Sequence, residues 1–295
     1  MQFKENRRGP DHSDWSAQRI FSLAHEQKIS RLSPLQEISA NQSFCSSASS
    51  VKKPTISVVI PALNEEKNIA AAIAKAARLV RERVSAYEII AINDGSTDNT
   101  GRIIDAMSKE DGRIVSVHHE KPWGFGGTYC DGLSKARFDY FALVAGDNEE
   151  LEEEQHKLYN NIGAADLILS YTTNQEVRSL DRRFISKSFV NFMNFAYGLN
   201  LRYYNGGGII RTELLRNLKM HTFGFAYMSS NLVRLVKSGY SYREVGIKLA
   251  PTKKTSAYKL KNIISVAKEI VRLYIEVNVM DRRGYNKTIR CLNDE

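Results

Sequence analysis

The sequence predicts an α/β protein in which a mostly parallel sheet is flanked by helices. β-branched apolar runs alternate with amphipathic helical stretches from residue 56 onward, and this alternation is typical of a parallel sheet with right-handed crossovers. The first run, Ile56–Ile60, shows little polar alternation, as expected for a strand covered on both faces. Polar loops follow the strands, which is where ligands bind in such sheets.

Four strands and three helices are predicted in order. The strands are Ile56–Ile60, Glu88–Ile92, Ile114–His118 and Tyr140–Ala145. After the first strand, Asn64 is predicted to cap a helix whose apolar positions run from Ile69 to Val84 at steps of three and four. The next two helices are predicted over residues 98–109 and 127–137.

Length and composition exclude several classes of protein. The chain has 295 residues, of which 42% are hydrophobic and 25% are charged, so collagen, coiled coil and wholesale disorder are excluded. The three cysteines are scattered without a C-x-x-C pair, which argues against a disulfide framework or a zinc knuckle. Because no apolar run approaches the roughly 20 residues that span a bilayer, we expect a protein that is cytoplasmic or lies at the inner face of a membrane.

The charge is unevenly distributed along the chain. Its net value is +9, with +3 in residues 1–53, −8 in residues 54–177 and +14 in residues 178–295. An acidic middle suits a cation, and a basic final segment suits phosphates, anionic lipids or nucleic acid. A solvated basic surface is the alternative. No recognition motif for nucleic acid is present, so a nucleic-acid partner is not expected.

The sequence divides into a first segment, a central domain and a final segment. Residues 1–53 are polar and end in a Ser-rich stretch, so they are predicted to be a disordered or loosely docked tail. Residues 54–260 form the predicted folded domain. Residues 261–295 contain an amphipathic helix and a tail, and the helix is expected either to dock on the domain or to lie in a lipid interface; docking is favoured because apolar helical stripes usually face a core.

Three loops carry the candidate chemistry. PALNEE (61–66) and NDGSTD (93–98) follow the first two strands, and their carboxylates and free amides suit a nucleotide; the alternative is two ordinary capped turns. Asp147 and Glu149 follow the fourth strand. Carboxylates at the end of a buried strand suit a divalent cation that bridges a diphosphate, although an acidic helix N-terminus is also consistent with them.

The segment between these loops is rich in glycine but matches no phosphate-binding motif. WGFGGT (123–128) lacks the Lys-Ser/Thr of a P-loop and the spacing of a dinucleotide fingerprint. The adjacent His118 and His119 have no third partner at metal spacing. We therefore expect His118 to end a strand and His119 to lie on the surface.

The order VVIPALNEE, AINDGSTDNT, GFGGTYCDGLSKA and ALVAGDNEE resembles the family 2 glycosyltransferases. Within that family it is most similar to the branch of dolichol-phosphate mannose synthases and other polyprenyl-phosphate glycosyltransferases, over about residues 54–260. The resemblance implies a single GT-A (Rossmann-like) domain, an NDP-sugar donor (a UDP- or GDP-sugar) and a Mg²⁺ or Mn²⁺ ion.

The resemblance also implies roles for individual residues. Asp94 matches the carboxylate that contacts the base, and Asp147 matches the second Asp of the D-x-D motif. Ala145 replaces the first Asp, so the metal ligands are expected to be Asp147 and Glu149. The first nucleotide loop and the donor pocket are matched by Pro61, Ala62, Asn64, Glu65, Gly126 and Gly127.

The second half of the chain carries the implied acceptor side. A basic cluster that includes Arg183 matches residues that face an acceptor phosphate in the related branch, and its arginine forks suit that use. The segment 204–208 looks like an acceptor-side loop. Lys253 and Lys259 lie in a degenerate form of the family's R-x-x-G-x-S-K segment, so both are expected to neutralise the leaving diphosphate.

The resemblance implies direct displacement with inversion at the transferred sugar. The expected acceptor is inferred from the absence of a general base in the segment where relatives often carry one. A hydroxyl acceptor needs a general base, but Met228–Asn231, where relatives often carry one, contains no acid. A polyprenyl phosphate needs little deprotonation and is therefore favoured. The alternatives are a sugar hydroxyl of a glycan, with Asp181 or Glu213 as base, and an inactive nucleotide-binding relative, which Ala145 suggests.

Overall fold

The computed structural model describes residues 53–218, 226–250, 260–285 and 287–293, with side chains in the helix that begins at Leu260 described from Val266 onward. The predicted tail lies outside the described residues except for Lys53. Lys253 and Lys259 also lie outside them. Within the described ranges, no helix is both long enough and apolar enough to cross a bilayer.

One eight-stranded sheet organises the described residues. Its strand order is β3-β2-β1-β4-β6-β5-β7-β8. The strands β1 to β4 are mutually parallel, β6 runs antiparallel to β4 and β5, and β7 is parallel to β5. The strands are β1 Thr55–Ala62, β2 Ala86–Asp94, β3 Ile114–His119, β4 Tyr140–Leu143, β5 Leu167–Thr172, β6 Gly208–Arg211, β7 Ser241–Ile247 and β8 Arg290–Cys291.

Helices occupy both faces of this sheet. They are α1 Ile69–Arg81, α2 Thr100–Glu110, α3 Gly124–Lys135, α4 Glu152–Tyr159, α5 Leu180–Tyr197, α6 Thr212–Arg216, α7 Tyr227–Lys237, α8 Leu260–Ile275 with the π-helical turn Glu276–Met280, and α9 Arg282–Tyr285. The prediction that Asn64 caps the first helix was wrong. The helix begins at Ile69, and Asn64 adopts a left-handed backbone (φ 59°) and bonds to the loop after β2 instead.

The alternation of side chains along the strands separates two hydrophobic clusters. On β4, Phe141 belongs to the cluster that contains residues of α3, α5 and α7, whereas Ala142 belongs to the cluster that contains residues of α1 and α4. The β1 strand is buried along nearly its whole length, as its unbroken β-branched run predicts.

The register places seven strand ends at one edge of the sheet, called here the site edge. The strands β1 to β4 are parallel, so their carboxyl ends lie together. Because β6 is antiparallel to β4, its first residue Gly208 lies at that same edge. β5 and β7 also end there. The loops singled out in the sequence therefore meet on one side of the domain.

A buried ion pair fixes α8 to the rest of the domain. Arg234 on α7 is only 1% exposed, and its guanidinium donates to both carboxylate oxygens of Glu276 at 2.9 and 2.8 Å. Glu269 lies 3.7 Å from the same guanidinium. The apolar contacts of Leu273 and Val277 bury the inner face of the helix, so the C-terminal helix docks on the domain.

Replacing Arg234 with Leu is expected to lower the free energy of unfolding by about 3–5 kcal/mol, because buried Glu269 and partly buried Glu276 lose their charge partner. Urea denaturation measures this change. The matched control is Arg78→Leu, which removes an equally bidentate but exposed pair with Glu152 and should have a much smaller effect. Equal losses in the two variants would contradict the assignment.

Candidate functional site

The loops after β1 and β2 are joined by hydrogen bonds. Loop A comprises residues 63–68 and loop B residues 95–99. The Asn64 side-chain oxygen accepts from the Thr97 amide at 2.9 Å, and the Asn64 amide donates to Ser96 Oγ at 3.0 Å. The Glu65 amide donates to Thr100 Oγ1 at 2.8 Å. Three further bonds join Glu66 to Asp98 and Asn99. The two predicted nucleotide loops thus form a single surface.

The loop after β4 packs directly on the end of β1. Loop C comprises residues 144–151. The Gly146 amide donates to the Pro61 carbonyl at 3.1 Å, and a Cβ at this position would lie only 2.9 Å from the Pro61 oxygen. Pro61 and Ala62 are the last two residues of β1 rather than part of a loop. They therefore position loop C through backbone contact.

Asp94 ends β2 and is almost entirely enclosed, at 4% exposure. Its two oxygens accept the amides of Trp123 at 2.8 Å and Gly124 at 2.9 Å. The next residue, Gly95, has a positive φ of 74°, and a Cβ there would lie 2.9 Å from Pro122. In this structure Asp94 therefore holds the connection between β3 and α3, and its contact with a base stays a prediction.

His119 was expected at the surface and is instead buried, at 8% exposure. Its ring nitrogens lie 2.8 Å from an Asp94 oxygen and 3.2 Å from an Asp131 oxygen, and its ring stacks on Trp123 with centroids 4.0 Å apart. His118 is the more exposed of the pair. The cluster joins β2, β3 and α3, so no local sequence pattern marks it.

The glycine-rich segment belongs to a helix rather than to a loop. α3 begins at Gly124, earlier than the predicted residue 127, so Gly126 and Gly127 lie in its first turn. Gly126 is buried and Gly127 packs beside the Trp123 side chain. Their role in lining a donor pocket stays a prediction.

Asp147 and Glu149 lie together on loop C. The Glu149 amide donates to Asp147 Oδ1 at 3.2 Å. Between them, Asn148 has a left-handed backbone (φ 56°), and its buried side-chain oxygen accepts no hydrogen bond from the described residues. The described residues contain no cluster of three or more His, Cys, Asp or Glu side chains suited to a metal. The oxygen donors of loop C nevertheless fit Mg²⁺ or Mn²⁺, which can complete their coordination with phosphate and water.

Lys75 is a site residue that the sequence reasoning missed. It lies on α1, is 5% exposed, and its ammonium donates to the Glu150 carbonyl of loop C at 2.7 Å. Burial lowers the pKa of Lys75, while the carboxylates of Glu150, Glu152 and Asp147 oppose that shift. A signal was present in the sequence, because Lys75 interrupts the apolar face of α1 between Ala72 and Ala76.

The predicted acceptor-side loop 204–208 reaches the site edge. Ser170 on β5 donates its hydroxyl to the Gly207 carbonyl at 2.7 Å, which brings this loop against the sheet. A cavity of about 220 Å³ extends from here beneath loop C. Its lining includes Asp147, Glu149 and Gly208, so the predicted metal ligands and the acceptor-side loop border one space.

The two alternative general bases, Glu213 and Asp181, lie in different parts of the domain. Glu213 lies on α6, directly after the end of β6 that pairs with the beginning of β4, so it is at the sheet edge opposite to the site edge. Asp181 lies in the first turn of α5, and a hydrogen bond from Ser179 lowers its pKa. A carboxylate with a lowered pKa is a weak base. Ser229, Ser230 and Asn231 are buried in α7 and supply no carboxylate.

Arg183 lies in α5, together with Arg182 and Lys187 of the same basic cluster. Its side chain is exposed. The helix follows β5, which ends at the site edge, but no described contact joins Arg183 to loops A, B or C.

The sequence matches a protein-family model over more than half of its length. Residues 57–223 match the model described as "Glycosyl transferase family 2". The chain belongs to this family. The resemblance stated from the sequence motifs is thereby confirmed.

Individual relatives share about a quarter to a third of the aligned residues with this chain. Glycosyltransferase GlyG of Streptococcus pneumoniae is 32% identical over 38% of the chain and 36% of its own length. Polyprenol monophosphomannose synthase of Mycolicibacterium smegmatis is 26% identical over 64% of the chain and 75% of its length. Glycosyltransferase AglD of Haloferax volcanii is 25% identical over 79% of the chain and 39% of its length. The chain thus spans well under half of the length of the first curated relatives it matches.

Solved structures confirm the predicted GT-A fold. Glucosyl-3-phosphoglycerate synthase from Mycobacterium tuberculosis, in complex with Mn²⁺ and UDP-glucose, has a TM-score of 0.55 and 19% sequence identity. The alignment covers 76% of this chain and 78% of that one. The same synthase in complex with Mg²⁺ and UDP gives a TM-score of 0.54. At this identity the likeness establishes the fold.

Asp94→Asn is expected to lower the free energy of unfolding by about 1–3 kcal/mol even without nucleotide, because an amide nitrogen would face buried donors. Urea denaturation measures the loss, and Trp123 fluorescence in a Trp15→Phe background reports on the β3–α3 connection. The control is Asp105→Asn, whose carboxylate partners the exposed His118. Unchanged stability and fluorescence with weaker nucleotide binding would assign Asp94 to the base instead.

Proposed function

We propose that the protein is an inverting, metal-dependent glycosyltransferase that moves a sugar from an NDP-sugar to a polyprenyl phosphate. The observation that carries this proposal is the junction of three loops at the site edge. Loops A and B are hydrogen-bonded to each other, and loop C packs on the end of β1 through Gly146. The junction brings amides, carboxylates and a candidate cation site next to one another, which is the combination that an NDP-sugar requires.

Asp147 and Glu149 would hold the divalent cation. When bound, the ion would supply positive charge near the diphosphate, where negative charge develops during transfer. Lys75 holds loop C through the Glu150 carbonyl, and Asp94 holds the β3–α3 connection beside loop B. These contacts fix the pocket before the donor arrives. Lys253 and Lys259 are proposed to contribute further positive charge.

The acceptor is proposed from the lack of a suitable general base at the site among the described residues. Among the described residues, Glu213 is at the opposite edge, Asp181 has a lowered pKa, and the start of α7 has no acid. A phosphate is already anionic and needs no strong base. Arg183 and its basic neighbours suit phosphate, and the relatives include a polyprenol monophosphomannose synthase.

Asp147→Asn is expected to reduce transfer by at least about 100-fold, because losing one charged ligand weakens the stabilisation of the leaving diphosphate. The assay measures sugar transfer from UDP- and GDP-sugars with Mn²⁺ or Mg²⁺, and circular dichroism checks the fold. Glu153→Gln is the control, because Glu153 is exposed on α4. Full activity of Asp147→Asn would remove the metal-site assignment.

Ala145 in place of an acid favours one other function, an inactive relative that only binds nucleotide. This candidate predicts metal-assisted binding of UDP or GDP by the wild-type chain with no transfer or hydrolysis of any NDP-sugar tested. A thermal-shift screen together with a turnover assay separates the two functions, because a ligand that binds the native state raises its apparent stability.

Membranes incubated with the protein and radiolabelled NDP-sugar are expected to give label that extracts into organic solvent, as a polyprenyl-phosphate sugar does. The lipid product should form in proportion to added polyprenyl phosphate, because that phosphate is the nucleophile. Label confined to polysaccharide or protein would exclude the lipid acceptor and would support a sugar hydroxyl.

A further inference from the structure

Exposed apolar side chains are concentrated on two helices of the domain. Of the 17 large apolar side chains that are exposed among the described residues, ten lie on α5 and on α8 with its π-helical turn. Phe195 is 90% exposed, Met280 79% and Phe184 74%. We call this set the apolar face: Leu180, Phe184, Ile185, Phe192, Phe195, Val271, Tyr274, Ile275, Val279 and Met280.

Both helices are apolar on two sides. The inner side of α5 buries Met193 and Tyr197, and the inner side of α8 and its turn buries Leu273 and Val277. A helix that only covers a core would carry polar residues on its outer side. The outer apolar residues of these helices therefore need a second partner, since exposed patches of this kind mark interaction sites.

The two helices form one continuous surface. The Tyr197 hydroxyl on α5 donates to the Ile270 carbonyl on α8 at 2.9 Å. The Asn278 side-chain amide donates to the Ala196 carbonyl at 3.3 Å, and the rings of Tyr197 and Tyr274 lie 6.3 Å apart. The Arg234 ion pairs hold the C-terminal helix in this position. The apolar face is therefore presented on a fixed support.

Cations border the apolar face. The exposed basic residues on the same helices and on α9 are Arg183, Lys187, Lys268, Arg272, Arg282 and Arg283. Only two described acids are exposed on these helices and on the turn before α9, Asp181 and Asp281. The other two described acids, Glu269 and Glu276, pair with buried Arg234. Apolar residues flanked by Lys and Arg are typical of a helix that lies in a lipid interface.

We propose, on the basis of the function proposed above, that the apolar face is the surface by which the protein docks on an anionic membrane. The aromatic and aliphatic side chains would enter the boundary between headgroups and acyl chains, and the bordering cations would contact lipid phosphates. α5 begins eight residues after β5 ends at the site edge. Docking through this face would place the beginning of α5 at the lipid surface, where a polyprenyl phosphate would be presented.

The charge pattern favours a membrane over a second copy of the chain. A two-fold dimer through the apolar face would place the same patch on both subunits. Its basic border would then meet an identical basic border, and like charges in contact are unfavourable. An anionic lipid surface offers apolar and negative groups together, which matches both parts of the face.

Flotation of the full chain with phosphatidylcholine vesicles, with and without phosphatidylglycerol, tests this surface. The wild-type protein is expected to float with the anionic vesicles and to be released by salt, because part of the attraction is electrostatic. The double variant Phe184→Glu/Phe195→Glu should bind at least about tenfold more weakly. The double variant Lys187→Glu/Lys268→Glu should lose the preference for phosphatidylglycerol.

Ile289→Glu is the matched control, because Ile289 is an exposed apolar residue next to β8 and outside the apolar face. It should float like the wild type. Equal flotation of the Phe184/Phe195 variant, or no flotation of the wild type, would overturn the proposal. A wild-type dimer that this variant converts to a monomer, without any vesicle binding, would assign the face to a second copy.

Nucleotide binding without vesicles separates this proposal from the proposed function. The Phe184/Phe195 variant should bind UDP or GDP with metal as the wild type does, because neither residue lies in loops A, B or C. If the Phe184/Phe195 variant also loses nucleotide binding, it is misfolded. The Lys187/Lys268 variant then decides the proposal through its preference for phosphatidylglycerol. A wild-type protein that floats but binds no nucleotide would contradict the proposed function and leave the docking surface standing.

Discussion

The hydrogen bonds between loops A and B are the interaction on which the rest of the site depends. Parallel pairing of β1 and β2 brings the two loops to one edge, but pairing alone would leave each loop free to adopt its own turn. The side-chain and backbone bonds of Asn64 with Thr97 and Ser96 remove that freedom. Loop C then packs on the last residues of β1, so a single strand positions all three loops.

Charge compensation accounts for the shape of the acidic loop. Loop C follows a buried strand and carries several carboxylates, which would repel one another without a positive group. Lys75 provides that group from α1 and bonds to the loop's own backbone. The loop is therefore held in place by the protein itself, and a cation brought with a diphosphate would enter a site that is already ordered.

The fold was predictable from the sequence wherever a local pattern reports on burial. The β-branched runs located β1 to β4, because strands covered on both faces need apolar residues at every position. Short motifs after those strands located Asp94 and Asp147 at the site edge, whereas their roles in binding the base and the metal stay predictions. The reversed strand β6, which places Glu213 at the opposite edge, was not predictable because register depends on distant pairing. His119 was missed for the same reason, since its partners come from other elements.

Mn²⁺-induced paramagnetic broadening of backbone amide signals, with UDP or GDP present, tests the junction of the three loops most directly. A bound Mn²⁺ broadens signals from nuclei close to it, whichever element they belong to. The account predicts that signals from loops A, B and C broaden together, and that omission of the nucleotide reduces the effect. Broadening confined to one loop, or centred on another part of the domain, would contradict a shared site for metal and nucleotide.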